Sequence, residues 1–207
     1  MGSDIVPSYL ALGDSITTGY GVGSDYSFAS LLFKKLKLMY PHLIYRNLAR
    51  NGLTTGQLNT LLDRPELKSY IKESAIITIT IGSNDLLDSI PLLISGGGFP
   101  SKKVLVNIHS NLNWIGKQLR SSNPNSVIKI ASIYNPLPAS HYAAYSHLGQ
   151  SLVDRLNSSI AYWAKKYRAE LVPVDLLFKG REALLLGPDG IHPNRAGHGL
   201  IAEAFAR

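Results

Sequence analysis

Ser15, Asp189 and His192 are residues whose types and placement suit nucleophilic catalysis. A serine hydroxyl is a weak nucleophile until a base takes its proton. Ser15 closes the triplet Gly13-Asp14-Ser15, directly after the apolar run Tyr9–Leu12. A serine there sits at the carboxyl edge of a strand, where backbone N–H groups of the following turn can face a developing oxyanion. The segment Asp189-Gly190-Ile191-His192-Pro193 offers the base. An aspartate three residues before a histidine can fold back on the imidazole Nδ1, fix its tautomer and leave Nε2 free to accept a proton. Asn84, in Gly82-Ser83-Asn84-Asp85, can bring a side-chain amide donor to the same crevice, and Gly52, after Asn51, can bring a backbone N–H.

Each piece alone has a plain structural use. Gly13-Asp14-Ser15 makes a polar turn, Asn84 a helix N-cap, Asn51-Gly52 a tight turn, and the Asp189 segment a turn before a helix. Their placement separates the readings. All four fall just after expected strands or in the last loop, and in an open parallel sheet those points converge on one edge.

The elements that must position them are read from periodicity. Strands are expected at Tyr9–Leu12, Leu43–Leu48, Ala75–Ile81, Val127–Ile133 and Leu171–Val174. Ala75–Ile81 is almost unbroken in hydrophobicity, the mark of a strand covered on both faces. Helical spacing runs over Phe28–Met39, around Thr55–Leu62, through Val104, Ile108, Leu112, Ile115 and Leu119, and from Leu148 to Tyr167. A closing helix is expected at Ala196–Phe205, with Pro193 just before it. Residues 91–100 and 134–147 read as irregular. Strands alternating with helices predict an α/β fold, a parallel sheet covered on both faces, in a single domain spanning residues 1–207.

Composition narrows the function. A chain of 207 residues with 45% hydrophobic and 17% charged residues reads as globular. No cysteine is present, which excludes disulfides and thiolate catalysis. The net charge of +7 is dispersed, so no nucleic-acid partner is expected, while peripheral contact with anionic lipid is allowed. The start Met1-Gly2-Ser3-Asp4 lacks a basic n-region and does not read as a signal peptide, and position 6 is Val, against myristoylation. Apolar runs are strand-length, so no transmembrane helix is expected. The location expected is cytoplasmic by default, or exported with a targeting segment outside this sequence. Phosphate-binding patterns fail: Gly19, Gly21 and Gly23 are followed by Ser24, and no Walker lysine occurs. Ser15 also lacks a Gly-x-Ser-x-Gly elbow. A zinc site of Asp189, His192 and His198 matches no standard spacing, and His198 reads as a surface histidine of the last helix.

At these residues the sequence resembles the SGNH hydrolases, the GDSL-type esterases and lipases. Gly13-Asp14-Ser15-Ile16, with Ile in place of the eponymous Leu, Gly52, Gly82-Ser83-Asn84-Asp85 and Asp189–Pro193 follow the order of that family's blocks. The resemblance implies a flavodoxin-like three-layer α/β/α sandwich with strand order 2-1-3-4-5. It implies a serine esterase with Ser15, Asp189 and His192 as triad and Ser15, Gly52 and Asn84 as oxyanion hole, needing no metal or organic cofactor.

The substrate expected is a small ester or lipid. Leu86, Leu87 and Ile90, in the apolar stretch after Asn84, together with Tyr134, are the candidate substrate-binding residues. The same stretch serves equally as ordinary core, and Gly96-Gly97-Gly98 beyond it as a flap hinge or a loose turn. With the positive charge, the stretch favours medium-chain or lipid-like esters, including phospholipids. A carbohydrate acetylesterase, a thioesterase or lysophospholipase, and a catalytically silent binding module are the rivals; the last would not need all five site residues.

Overall fold

The computed structural model describes residues 7–88, 101–137 and 145–207. Its centre is a five-stranded parallel sheet in the order β2-β1-β3-β4-β5, as the resemblance implies. The strands are β1 (Ser8–Gly13), β2 (Ile44–Asn47), β3 (Ser74–Thr80), β4 (Val127–Ala131) and β5 (Glu170–Val172).

Side chains of successive strand residues point to opposite faces, and the two faces build two cores. Leu10 and Leu12 join Ile77, Ile79, Ile128 and Ile130 on one side. Tyr9 and Ala11 join Ala131 and Val172 on the other. Over the first face lie α3 (Thr55–Leu62), α4 (Pro65–Glu73), α6 (Ser101–Ser122) and α7 (Ser146–Lys166), contributing residues such as Leu58, Ile71, Ile115 and Trp163. Over the second lie α2 (Phe28–Met39) and the closing helix α10 (Arg195–Ala206), with Phe28 stacked on Phe205 at 4.8 Å between ring centroids. Among the described residues, four short α-helices stand at strand exits or loops: α1 (Ser15–Thr18), α5 (Ser83–Leu87), α8 (Val174–Phe178) and α9 (Glu182–Leu185). Among the described residues no helix is long and apolar enough to cross a membrane.

The chain leaves β1 for β2 on one side, then returns past β1 to β3 on the other. The crevice of such a sheet opens where this reversal occurs, between the carboxyl ends of β1 and β3. Ser15 follows β1 and Asn84 follows β3.

The helices over Phe28–Met39 and Thr55–Leu62 stand at the expected bounds. Three strands are shorter than their apolar runs. β2 occupies Ile44–Asn47 within Leu43–Leu48, β4 stops at Ala131 rather than Ile133, and β5 runs Glu170–Val172 rather than Leu171–Val174. Pro173 has no N–H for a ladder, and Val174 begins α8 instead. Helix α4, with Pro65 in its first turn, lies in a stretch whose sequence gave no helical assignment.

Gly13 shows why the nucleophile turn needs a glycine. Its φ is +149°, and a Cβ there would lie 2.5 Å from Thr80 Oγ1 and 2.6 Å from the Thr80 carbonyl oxygen. Gly13→Ala is therefore expected to cost about 2–4 kcal/mol, from backbone strain plus a clash with a neighbouring strand. Denaturant unfolding of the two proteins measures it; unchanged stability would show that the strand ends can separate freely.

Candidate active site

The site begins with the cap of α1. Asp14 is the N-cap, and its Oδ1 accepts from the Ile16 N–H at 3.0 Å and from Thr80 Oγ1 at 2.9 Å. Its own N–H donates to the Thr80 carbonyl at 3.1 Å. Because the cap engages Ile16, it leaves the Ser15 amide uncommitted by that bond. Asp14 is buried, and burial pushes its carboxyl up to about 6 in spite of the Thr80 and Ile16 hydrogen bonds that favour the anion.

Ser15 is the first residue of α1 and is only 8% exposed. Its Oγ lies 2.9 Å from His192 Nε2, and His192 Nδ1 lies 2.7 Å from Asp189 Oδ2. A carboxylate only accepts, so Nδ1 carries the proton and Nε2 presents its lone pair to Ser15. The second oxygen, Asp189 Oδ1, accepts the Ile191 and His192 amides at 2.9 and 3.0 Å. Burial works to raise the Asp189 carboxyl. The two amides and the imidazole outweigh it and hold the group below its ordinary range.

Several contacts hold the histidine loop. The Gly187 N–H donates to the His192 carbonyl at 2.7 Å, and Tyr134 Oη donates to the Ile191 carbonyl at 2.6 Å. Asn194 caps α10 through the Gly197 N–H at 3.0 Å, while its Nδ2 donates to the Leu184 and Leu186 carbonyls at 2.8 and 3.0 Å. The Tyr20 ring lies against the imidazole, 4.5 Å between centroids.

Two further donors border the same space. Gly52 has φ +75° in the turn between β2 and α3, a left-handed conformation that glycine adopts without strain. Asn84 Nδ2 donates one hydrogen to the Leu53 carbonyl at 3.0 Å. A primary amide carries a second N–H. Thr18 Oγ1 donates toward Asn51 Oδ1 at 2.5 Å and joins the α1 and Gly52 turns.

Ser15, Gly52, Asn84 and His192 line one cavity of about 310 Å³. Leu86 and Leu87 from α5 and Tyr134 after β4 line it too. Tyr134 has a second task in holding the Ile191 carbonyl. Ile90 lies outside the described residues, as does the triple glycine at 96–98. Other wall residues carry no sequence signal of this role, among them the apolar Ile133, Leu137, Leu148, Leu152 and Val153 and the polar Asn135. Leu148 and Leu152 carried only the signal of a helix face, and nothing in the spacing said that the face ends over a cavity.

His198 is a correction. It is fully buried rather than on the surface, and its Nδ1 accepts the Phe28 N–H at 3.2 Å. The closing helix is pressed against α2 along this face, so the position is core. Both ring nitrogens of His192 face Asp189 and Ser15, so His192 and His198 do not converge on a metal.

Residues 11–200 match the GDSL-like Lipase/Acylhydrolase family, and the chain belongs to it. It is an ester-hydrolysing enzyme. Among its relatives is a spore germination lipase of Bacillus licheniformis, 24% identical over 94% of this chain and 92% of the relative. A lipase from a goat rumen metagenome shares the fold with a TM-score of 0.85, at 23% identity over 96% of this chain and 95% of its own. An acetyl xylan esterase from Geobacillus stearothermophilus does so with a TM-score of 0.70, at 20% identity over 99% and 94%.

Burial of His198 sets a dependence on pH. Burial first, and the charge of His192 second, lower its pKa from 6.5 to about 4. As pH falls below 6.5 the unfolded chain binds this proton before the folded one does, so stability present above 6.5 is lost as pH approaches 4. The shift corresponds to roughly 3 kcal/mol. His198→Gln is expected to flatten unfolding free energy between pH 6.5 and 4 relative to the unaltered protein, measured by urea denaturation. Parallel curves for the two proteins would refute the assignment.

Proposed function

We propose that Ser15 is the nucleophile of this esterase, His192 its general base and acid, and Asp189 the group that orients the imidazole. We propose further that it acts on carboxylic esters with medium-chain or lipid-like acyl groups, through an acyl-enzyme. The observation that carries this reading is the Ser15–His192–Asp189 chain of contacts, at 2.9 and 2.7 Å, opening into an apolar cavity.

His192 Nε2 takes the Ser15 proton as Oγ attacks the ester carbonyl. The C–O π bond opens, and the oxyanion is held by the N–H groups of Ser15 and Gly52 and the second N–H of Asn84. His192 then gives its proton to the leaving alkoxide, the ester C–O bond breaks and Ser15 is acylated. Water repeats the sequence, releasing the acid and restoring Ser15. Asp189 stays ionised and stabilises the imidazolium. Its lowered pKa supports that role.

The cavity wall supports the acyl preference. Leu86, Leu148, Leu152 and Val153 offer an alkyl chain dispersion and release from water and give a sugar hydroxyl no partner. An acetyl group would use little of that wall. The lipase activity named for the relatives agrees with this choice, and the acetyl xylan esterase relative marks the rival.

Two tests follow. On p-nitrophenyl esters, kcat/KM is expected to rise from acetate to octanoate by up to about fourfold per methylene, the value of burying a CH₂. A preference for acetylated xylan over octanoate would reject the acyl preference. Ser15→Ala is expected to abolish fluorophosphonate labelling and lower kcat to a residual rate about 10³–10⁴ above water. Asn84→Ala is expected to lower kcat by roughly 10²–10³ with labelling retained. Undiminished hydrolysis by Ser15→Ala would reject the mechanism.

A further inference from the structure

The two oxyanion donors outside α1 come from different segments, yet their separation must be fixed. Gly52 stands in the turn entering α3, and Asn84 stands in α5 after β3. Two neighbouring side chains on α5 grip the α3 entry. Asn84 Nδ2 donates to the Leu53 carbonyl at 3.0 Å. Asp85 then takes both polar groups of Thr55, the N–H at 2.9 Å on Oδ2 and the hydroxyl at 2.6 Å on Oδ1.

The Thr55 hydroxyl is itself held from the other side. Its proton goes to Asp85, so its oxygen accepts from Asn111 Nδ2 of α6 at 2.9 Å, and Asn111 Oδ1 accepts from Asn59 Nδ2 at 3.0 Å. Thr55 is fully buried. The network locks the α3 entry between α5 and α6.

This carboxylate is not required to start α3. Thr54 already caps that helix, its Oγ1 accepting the Gln57 N–H at 3.3 Å and Gln57 Oε1 accepting the Thr54 N–H at 3.0 Å. Asp85 instead links the Gly52 side of the site to the Asn84 side. Hydrogen bonds to an ionised acceptor are short and strong, and two of them fix orientation as well as distance.

We infer that Asp85 is a positioning residue: by clamping Thr55 while its neighbour Asn84 holds Leu53, it sets the spacing of the Gly52 and Asn84 donors around the oxyanion. The inference rests on the proposed roles of Ser15, Gly52 and Asn84. Asp85 touches no reacting atom and acts only through those donors. Its effect therefore falls on the transition state, where the oxyanion has formed, and not on binding of the neutral ester.

The test uses p-nitrophenyl butyrate, with turnover expressed per site labelled by fluorophosphonate, so that misfolded protein is not counted, and per mole of protein for Ser15→Ala, which does not label. Asp85→Asn keeps the shape and removes the charge. It is expected to lower kcat by about 10- to 100-fold, as a misplacement of the donors would, with KM within twofold of the unaltered enzyme. Thr55→Val, which loses only the hydroxyl, is expected to show the same kcat pattern more weakly, and Thr55→Ser to restore it. In the Asn84→Ala background, Asp85→Asn is expected to cost less than a third of its effect alone, because one of its two donors has gone. A kcat per labelled site unchanged in both Asp85→Asn and Thr55→Val, or losses that multiply in the double variant, would overturn the clamp. If those variants are unimpaired while Ser15→Ala and Asn84→Ala are impaired, the proposed site stands and only the clamp falls. If Ser15→Ala hydrolyses the ester undiminished, the site falls and the clamp with it.

Discussion

Asp14 and Thr80 join the ends of β1 and β3, and the site hangs on that joint. The Asp14 N–H meets the Thr80 carbonyl, and the Thr80 hydroxyl meets the Asp14 carboxylate. A hydroxyl has one proton to give, so with Thr80 donating to Asp14, Thr17 donates to Thr80 across 2.7 Å. Ser15 stands one residue beyond one side of this joint, and the turn to Asn84 leaves from the other. The joint is dry. Burial raises the Asp14 carboxyl toward neutrality, and the Thr80 hydroxyl, the Ile16 amide, His192 and the Asp14 backbone oppose it. Gly13 belongs to the same joint, because a side chain there would occupy the space of the Thr80 oxygens.

From this point the candidate site is assembled out of loops tied to one another rather than out of one rigid element. Thr18 reaches the Asn51 turn, Asn84 and Asp85 reach the α3 entry, and Tyr134 reaches the histidine loop. Each tie crosses between segments far apart in the chain. Loops carry reactive groups well when a scaffold fixes their ends, and here the parallel sheet supplies the fixed ends. The ties also explain why polar residues populate a region bordered by leucine and isoleucine. Buried polar groups are tolerated where each has a partner.

The cavity runs from the candidate triad into a different part of the fold. Beyond the Ser15, Gly52 and His192 segments, its wall comes from α5, from the segment after β4 and from the first turns of α7. None of these carries the triad. α5 carries both Asn84 and Leu86, whereas the α7 part of the wall carries no residue of the candidate triad or oxyanion hole.

The sequence by itself determined the sheet, its alternation with helices and which residues are the candidates for triad and oxyanion hole. Each of those signals is local: an apolar run of strand length, helical spacing, a glycine in a turn, an aspartate three before a histidine. Strand order followed from the resemblance carried by the same residues. Other features depended on contacts between distant segments. His198 has the local pattern of a surface histidine, and only the packing of α10 on α2 buries it. Leu148 and Leu152 look like any helix face, and only the packing of α7 over the sheet turns that face toward the cavity that Leu86 and Leu87 also line. Tyr134 and Asp85 show polar groups whose partners, Ile191 and Thr55, lie 57 and 30 residues away. A local pattern records what a residue can do. Which partner it meets is fixed by how the layers close, because hydrogen bonds and burial act over a few ångströms in space, whatever the distance along the chain.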